Sequence, residues 1–139
     1  ASIFACLDEI NKELKVILSL HPRTKKQMER YKIHSEINLV SPQGYLAVLN
    51  LLNGAELVIT DSGGLQKEAF FTEKKCITVR KETEWTELTD AGVNFLTKPE
   101  NLFNTFKQIQ NTMCDFSARP YGNGNAAEII VQNIVKYFA

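Results

Sequence analysis

The sequence has no excess of charge of either sign. Lys plus Arg number 16 and Asp plus Glu number 16 among its 139 residues, so the formal net charge is +0. Without a field of one sign, the chain has no general electrostatic attraction for nucleic acid or for an anionic membrane. We therefore expect neither of them as a partner, and any site for an anion must be local.

Cysteine is scarce, and its spacing lacks the pattern of a metal site. Cys6, Cys76 and Cys114 are odd in number and form no Cys-x-x-Cys or Cys/His ligand pair. We therefore expect no disulfide framework, no bound metal and no cofactor. Cys76 lies in a hydrophobic run and is predicted to be a small core residue. A reducing cytoplasm is the simplest compartment for such a chain.

Long apolar runs are also missing. None approaches the roughly 20 residues that a membrane-spanning helix needs. The chain has no initiating Met and no secretory signal, and residues 3–10 have the pattern of a helix already under way. Hydrophobic residues make up 44% of the chain, which is enough for a core. We therefore expect one domain over residues 1–139, cut from a longer protein.

Short aliphatic runs alternate with helical patterns. This order predicts a Rossmann-like α/β fold, in which a buried parallel sheet carries helices on both faces. Ligands of such folds bind beyond the carboxyl ends of the strands. The predicted strands are 16–20, 37–40, 57–60, 76–79 and 93–96, and the predicted helices after the opening one are 24–31, 45–52, 65–71, 84–90, 101–113 and 126–138.

Three details refine the helix predictions. Gly92 fits the C-terminal stop of helix 84–90, and Asn101 is predicted to cap the helix that follows it. The last helix is predicted to be amphipathic. Its apolar side carries Ile129, Ile130, Ile134, Val135 and Phe138.

The strongest functional signal follows the third strand. Ser62, Gly63 and Gly64 open a helix there, and the glycines let the backbone approach a ligand closely. Unpaired helical N–H groups and the helix dipole favour an anion at this position, so the segment predicts a phosphate site. Glu68 lies one turn further on, where a carboxylate can accept hydrogen bonds from a ribose diol. The structural alternative, a capped helix start with a solvated Glu68, is equally consistent with the spacing.

Polar residues also follow the first two strands. Arg23 can bind phosphate or a carboxylate, and His21 can donate to phosphate or exchange protons. A packed histidine beside a solvated arginine is the alternative, and the spacing alone favours it. Backbone groups of Pro42, Gln43 and Gly44 can read the edge of a base, with Tyr45 stacked beside it or, more commonly for such a residue, packed in the core.

A charged loop containing the single tryptophan follows the fourth strand. Arg80 can stabilise a diphosphate, and the loop with Glu84 and Trp85 can act as a lid. The alternative is a solvated loop for which Trp85 is the hydrophobic anchor. Four loops of this kind at one sheet edge favour a shared ligand.

Taken together, these segments resemble the non-hydrolysing UDP-N-acetylglucosamine 2-epimerases. The resemblance lies in residues 60–69 (Thr-Asp-Ser-Gly-Gly-Leu-Gln-Lys-Glu-Ala), Arg80, the Glu-Thr-Glu-Trp loop from Glu82 and the Ala-Gly-Val-Asn segment from Ala91. The His-Pro-Arg-Thr, Pro-Gln-Gly-Tyr and Tyr-Gly-Asn-Gly-Asn-Ala-Ala segments that begin at His21, Pro42 and Tyr121 match the same family in the same order.

The resemblance implies a two-domain enzyme of the glycosyltransferase-B type, of which this chain is the C-terminal half. It implies that Ser62, Gly63 and Gly64 contact the diphosphate of UDP, Glu68 the ribose, and residues 42–45 the uracil. His21 and Arg80 would line the cleft near the diphosphate. The family inverts C2 by eliminating UDP to a 2-acetamidoglucal and adding it back. The carboxylates that handle the C2 proton belong to the N-terminal domain, which is the expected partner, in an enzyme expected to be a homodimer.

Two local departures accompany the resemblance. Glu73, Lys74 and Lys75 stand where relatives often have Gly-Lys-Pro, and Lys81 stands where an Asp is common. Two other functions are consistent with the same motifs. One is the nucleotide-binding domain of a glycosyltransferase, against which the Glu-Thr-Glu-Trp loop argues. The other is a UDP-sugar-binding module without catalysis.

Overall fold

The computed structural model describes residues 2–138, which form seven α-helices, one 3-10 turn and five short strands. The helices are α1 (Ser2–Asn11), α2 (Pro22–Arg30), α3 (Tyr45–Gly54), α4 (Gly63–Phe71), α5 (Thr86–Asp90), α6 (Leu102–Ile109) and α7 (Ala126–Phe138), and the 3-10 turn is Pro99–Asn101. The strands are β1 (Ile17–Ser19), β2 (Asn38–Val40), β3 (Leu57–Thr60), β4 (Lys75–Thr78) and β5 (Asn94–Leu96).

Every strand pair is parallel, as the alternation of strands and helices predicts. One sheet contains β1 and β2, and the other has the order β3-β4-β5. Leu18 of β1 packs on the same core cluster as Leu57 of β3, so the two sheets share one hydrophobic layer.

Helices cover both sides of the larger sheet because neighbouring strand residues point to opposite faces. Ile77 packs with α1 and α6 on one face. The adjacent Cys76 packs with α3 and α4 on the other face. Cys76 is buried and is therefore the small core residue that the sequence predicts. Its burial raises the pKa of the thiol to about 11.

A third cluster lies between α4, α5 and the segment that precedes α7. Phe70, Leu88 and Val93 are buried at its centre, and the rings of Trp85 and Tyr121 pack against them. This cluster joins the loop after β4 to the helix that starts after β3.

Several local predictions were wrong. The first strand is not buried, since Ile17 is 44% exposed. Helix α4 begins at Gly63 instead of after the glycine pair. Asn101 makes no side-chain capping bond, because a 3-10 turn that starts at Pro99 already leads into α6. The helix α6 also ends at Ile109, four residues before the predicted end.

Gly92 ends α5 as predicted, with a positive φ of 68°. The end of α4 has the same hydrogen-bond pattern, with Lys74 N–H donating to the carbonyl of Ala69, but there Glu73 adopts the left-handed conformation at φ 56°. Glu73 thus occupies a backbone position suited to glycine.

Lys75 binds the end of α6. Its ammonium donates to the carbonyls of Ile109, Gln110 and Thr112 at 3.1, 2.8 and 3.3 Å. The carbonyl of Ile109 also accepts from the Thr112 N–H just beyond the helix, and a cation near a helix C-terminus is stabilising. Lys75 therefore has a structural role in this chain.

Helix α7 forms over residues Ala126–Phe138 but buries none of its side chains within the described chain. Its five predicted apolar residues are between 47% and 81% exposed. Among residues 2–138, no helix has the length and apolar character needed to cross a membrane.

Candidate functional site

The turn between β3 and α4 presents unpaired backbone donors. Ser62 N–H donates to the hydroxyl of Thr60 at 3.0 Å. The amides of Gly63, Gly64 and Leu65, which follow it, make no hydrogen bond within residues 2–138. The hydroxyl of Ser62 caps no helical amide. Free N–H groups at the positive end of a helix dipole are suited to an anion.

The two glycines of this turn differ in their surroundings. A Cβ placed on Gly64 would meet no atom within 4 Å, so the space beside it is open. A Cβ on Gly63 would lie 2.2 Å from Oε1 of Glu84 and 3.5 Å from Nε1 of Trp85. Gly63 is therefore covered by the loop after β4, and Gly64 is open to solvent.

Glu68 lies one helical turn beyond Gly64 and is half-buried. Its carboxylate forms no ion pair within the described residues. Its backbone carbonyl accepts from Thr72 at the end of the helix. A carboxylate without a paired cation can accept hydrogen bonds from two neighbouring hydroxyls.

His21 has a structural bond that the sequence analysis missed. It is the N-cap of α2, and its Nδ1 accepts from the backbone N–H of Arg23 at 3.2 Å. In a neutral imidazole this leaves the proton on Nε2, which can donate to a ligand. His21 and Arg23 are both exposed, and neither bonds to the turn at Ser62 in the described chain.

The segment after β2 is open to solvent. Gly44 is the N-cap of α3, and the Gln43 amide donates to the carbonyl of Ser41 at 2.7 Å. Pro42 is exposed, and Tyr45 is 63% exposed. Core packing for Tyr45 is therefore excluded, and its ring is available for stacking.

Arg80 forms an ion pair with Glu84 across the loop after β4. The guanidinium Nη1 lies 2.8 Å from Oε2 of Glu84, and both side chains are partly exposed. A hydrogen bond from its own backbone N–H lowers the pKa of Glu84, and the Arg80 charge lowers it further. Lys81 lies with Arg80 and Lys98 around a cavity of about 670 Å³ whose lining contains no carboxylate.

Trp85 attaches this loop to the turn. Its Nε1 donates to the carbonyl of Gly63 at 2.9 Å. The Lys67 ammonium lies 4.1 Å from the centre of the Trp85 ring system and 4.8 Å from the Tyr121 ring, which is a cation–π arrangement. The anchoring role of Trp85 is thus present in the structure, and movement of the loop as a lid stays a prediction.

A buried polar network was missed by the sequence analysis. Gln66 and Asn94 are fully or almost fully buried and bond to each other at 2.8 Å, and Thr83 and Thr78 bond to one member each. Gln66 stands one residue after Leu65 in α4, on the side that faces the sheet. A glutamine in the middle of an otherwise apolar helix face was the available signal.

The described residues offer no obvious place for a metal. Within residues 2–138 no group of three or more His, Cys, Asp or Glu side chains has a metal-binding arrangement. The groups that this edge of the sheet offers a ligand are free amides, the two arginines Arg23 and Arg80, and the carboxylates of Glu68 and Glu84.

Comparison with known proteins identifies the family. The family model described as UDP-N-acetylglucosamine 2-epimerase matches residues 1–135. The chain belongs to this epimerase family. Its sequence is 38% identical over 138 residues to the UDP-2,3-diacetamido-2,3-dideoxy-D-glucuronate 2-epimerase of Pseudomonas aeruginosa, covering 97% of this chain and 39% of that protein.

Other family members give the same result. The UDP-N-acetylglucosamine 2-epimerase of Methanocaldococcus jannaschii is 38% identical over 125 residues, or 84% of this chain and 34% of that protein. The crystal structure of the same enzyme with UDP-GlcNAc and UDP aligns with a TM-score of 0.81 at 34% identity, covering 97% of this chain and 40% of the other. The α/β fold is therefore that of this family, and the chain spans about two fifths of the length of the relatives it matches.

Proposed function

We propose that this chain is the UDP-binding part of a UDP-N-acetylglucosamine 2-epimerase. The observation that carries the proposal is the turn at the start of α4, where three amides lack partners and Gly64 borders open space. A diphosphate satisfies such amides and interacts favourably with the helix dipole.

Each part of UDP has a place in this proposal. Ser62, Gly63 and Gly64 bind the diphosphate, and Glu68 accepts from the ribose hydroxyls. Residues 42–45 bind the uracil, with Tyr45 beside the base. His21 donates from Nε2 towards the diphosphate, where the guanidinium groups of Arg23 and Arg80 add positive charge.

The reaction follows from the leaving group that this site would hold. Removal of the C2 proton and cleavage of the bond between C1 and UDP give a 2-acetamidoglucal. Re-addition of UDP at C1, with protonation on the opposite face of C2, inverts that carbon. The turn at α4 stabilises the charge that develops on UDP as it leaves. The carboxylates that move the C2 proton belong to the part of the enzyme outside this chain.

A second substrate is favoured by one relative. The Pseudomonas aeruginosa protein is named for a uronate with acetamido groups at C2 and C3. Both named substrates join UDP to a sugar with an acetamido group at C2, so the UDP site would be shared. We take UDP-N-acetylglucosamine as the main candidate and the diacetamido uronate as the alternative.

The proposal also includes the domain arrangement of the enzyme, its oligomeric state and its place in the cell. The chain acts as a single UDP-binding domain beside an N-terminal domain, in a homodimeric enzyme of the cytoplasm that serves polysaccharide biosynthesis. The balanced charge supports one part of this setting, the lack of nucleic acid and membrane partners, because it gives no general affinity for either.

The full-length parent and the 139-residue chain test the proposal together. The parent, given UDP-N-acetylglucosamine without an acceptor, should form the C2 epimer, which NMR of the sugar detects. The chain alone should bind UDP without turnover. A parent that needs an acceptor would be a glycosyltransferase, and a parent that binds without turnover would be a binding module. Epimer formation by the chain alone would contradict the assignment of the acid/base carboxylates.

A further inference from the structure

Gln66 is completely buried, and its side chain connects the proposed diphosphate site to the loop after β4 and to strand β5. Its Nε2 donates to the carbonyl of Ser62 at 3.2 Å, and its Oε1 accepts from the hydroxyl of Thr83 at 2.7 Å. Asn94 also donates to Oε1, at 2.8 Å, and in turn accepts from Thr78. With 0% of its surface exposed, Gln66 has no access to a ligand.

Thr83 and Trp85 extend this network into the loop after β4. The hydroxyl of Thr83 donates to Gln66 and accepts from the backbone N–H of Trp85 at 3.1 Å. Trp85 then donates from Nε1 to the carbonyl of Gly63. The loop is therefore bonded directly to the carbonyl of Gly63 and, through Gln66, to the carbonyl of Ser62.

The planarity of the peptide bond makes these two bonds important for a ligand. The carbonyl of Ser62 and the N–H of Gly63 belong to one rigid trans peptide unit and point in opposite directions. The carbonyl of Gly63 and the N–H of Gly64 belong to the next one. A bond that fixes each carbonyl therefore also fixes the direction of the free N–H on the other side.

We propose that Gln66 is a positioning residue which, held by Thr83, orients the Gly63 amide towards the diphosphate without touching it. The inference rests on the proposed function of the turn. Amides that already point at the ligand need no ordering when it binds, and such preorganisation increases affinity. Through Gln66, the affinity of the turn for phosphate therefore depends on the Glu-Thr-Glu-Trp loop.

Thr83 offers a mild test because it lies at the partly exposed end of the network. Thr83→Val removes the hydroxyl and keeps the shape, and Thr83→Ser restores the hydroxyl. Thr89→Val is the matched control, because the Thr89 hydroxyl donates to the carbonyl of Thr86, outside the network. Calorimetry with UDP and with uridine measures the part of the affinity that depends on the diphosphate. Melting curves verify that each variant is folded.

We expect Thr83→Val to weaken UDP binding about fivefold and uridine binding less than twofold, as the loss of one hydrogen bond implies. Thr83→Ser should restore the affinity for UDP, and Thr89→Val should leave both affinities unchanged. NMR of the ligand-free chain should also show a changed Gly63 amide resonance in Thr83→Val, and recovery in Thr83→Ser.

The possible failures are distinguishable. If the unmodified chain binds UDP no better than uridine, the proposed function of the turn fails, and the role of Gln66 fails with it. If the unmodified chain prefers UDP and Thr83→Val keeps that preference, only the positioning role is wrong. An unchanged Gly63 amide beside weakened UDP binding would show that Thr83 acts through Trp85 or on the ligand itself, and not through Gln66, which also overturns the proposal.

Discussion

At Gly64 the absence of a side chain leaves the space that a diphosphate needs. Gly64→Val should abolish UDP binding while the chain stays folded, because the new side chain projects into space where no protein atom lies within 4 Å. Calorimetry and a melting curve measure the two effects. Gly54→Val is the control, since Gly54 also borders open space but ends α3. Equal loss of UDP binding in both variants would contradict a local steric effect.

Glu68 allows a test of the ribose contact. Glu68→Gln keeps one acceptor oxygen but loses the charge, which is worth about 1 kcal/mol, so UDP affinity should fall about five- to tenfold. The same substitution should cost less with 2′-deoxy-UDP, which lacks one of the hydroxyls. Calorimetry of both proteins with both ligands gives the coupling free energy between the Glu68 carboxylate and the 2′-hydroxyl. Strict additivity of the two losses would show that Glu68 does not bind the ribose.

Most helices and strands could be predicted from the local sequence. The exceptions involve contacts between residues that are distant in the chain. Strand β3 has its predicted bounds because an aliphatic run, set between polar residues, can only be buried in a sheet of this kind. Helix α6 ends early, at carbonyls that Lys75 of a distant strand binds. The pattern of apolar residues up to Met113 could not reveal a partner 34 residues away in the chain.

The backbone of the candidate site was predictable from the local sequence, but its side-chain contacts were not. The glycine pair after an aliphatic run identified the turn at Ser62, because helix starts have free amides wherever they occur. The cap made by His21 and the network of Gln66 depend on side-chain directions that no local pattern contains. The exposure of Tyr45 also depends on what packs beside α3, which the spacing of its apolar residues does not specify.

The end of α4 gives a prediction for stability. Glu73→Gly should stabilise the chain, because the left-handed conformation costs a residue with a side chain about 1–2 kcal/mol. The greater freedom of glycine in the unfolded state offsets part of this gain, which leaves about 0.5–1 kcal/mol. Urea unfolding measures the difference. Lys74→Gly is the control and should destabilise, since Lys74 has no positive φ; stabilisation by both glycines, or by neither, would contradict this explanation.

At the scale of the whole molecule, the chain spans about two fifths of the length of the relatives it matches. It contains a turn with free amides, the loops at the ends of its strands and a core shared by both sheets. The apolar side of α7 is exposed within the described chain. We therefore expect this chain to perform one step by itself, the binding of UDP, on which the proposed catalysis depends.

The affinities of the 139-residue chain for UDP, UMP and uridine, measured by calorimetry, test that function most directly. Three free amides and the helix dipole should favour UDP over UMP and UMP over uridine. The affinity for UDP should exceed the affinity for uridine at least about tenfold, since charge-assisted hydrogen bonds contribute about 1.5–3 kcal/mol each. Equal affinity for the three ligands would contradict the assignment of the diphosphate to Ser62, Gly63 and Gly64.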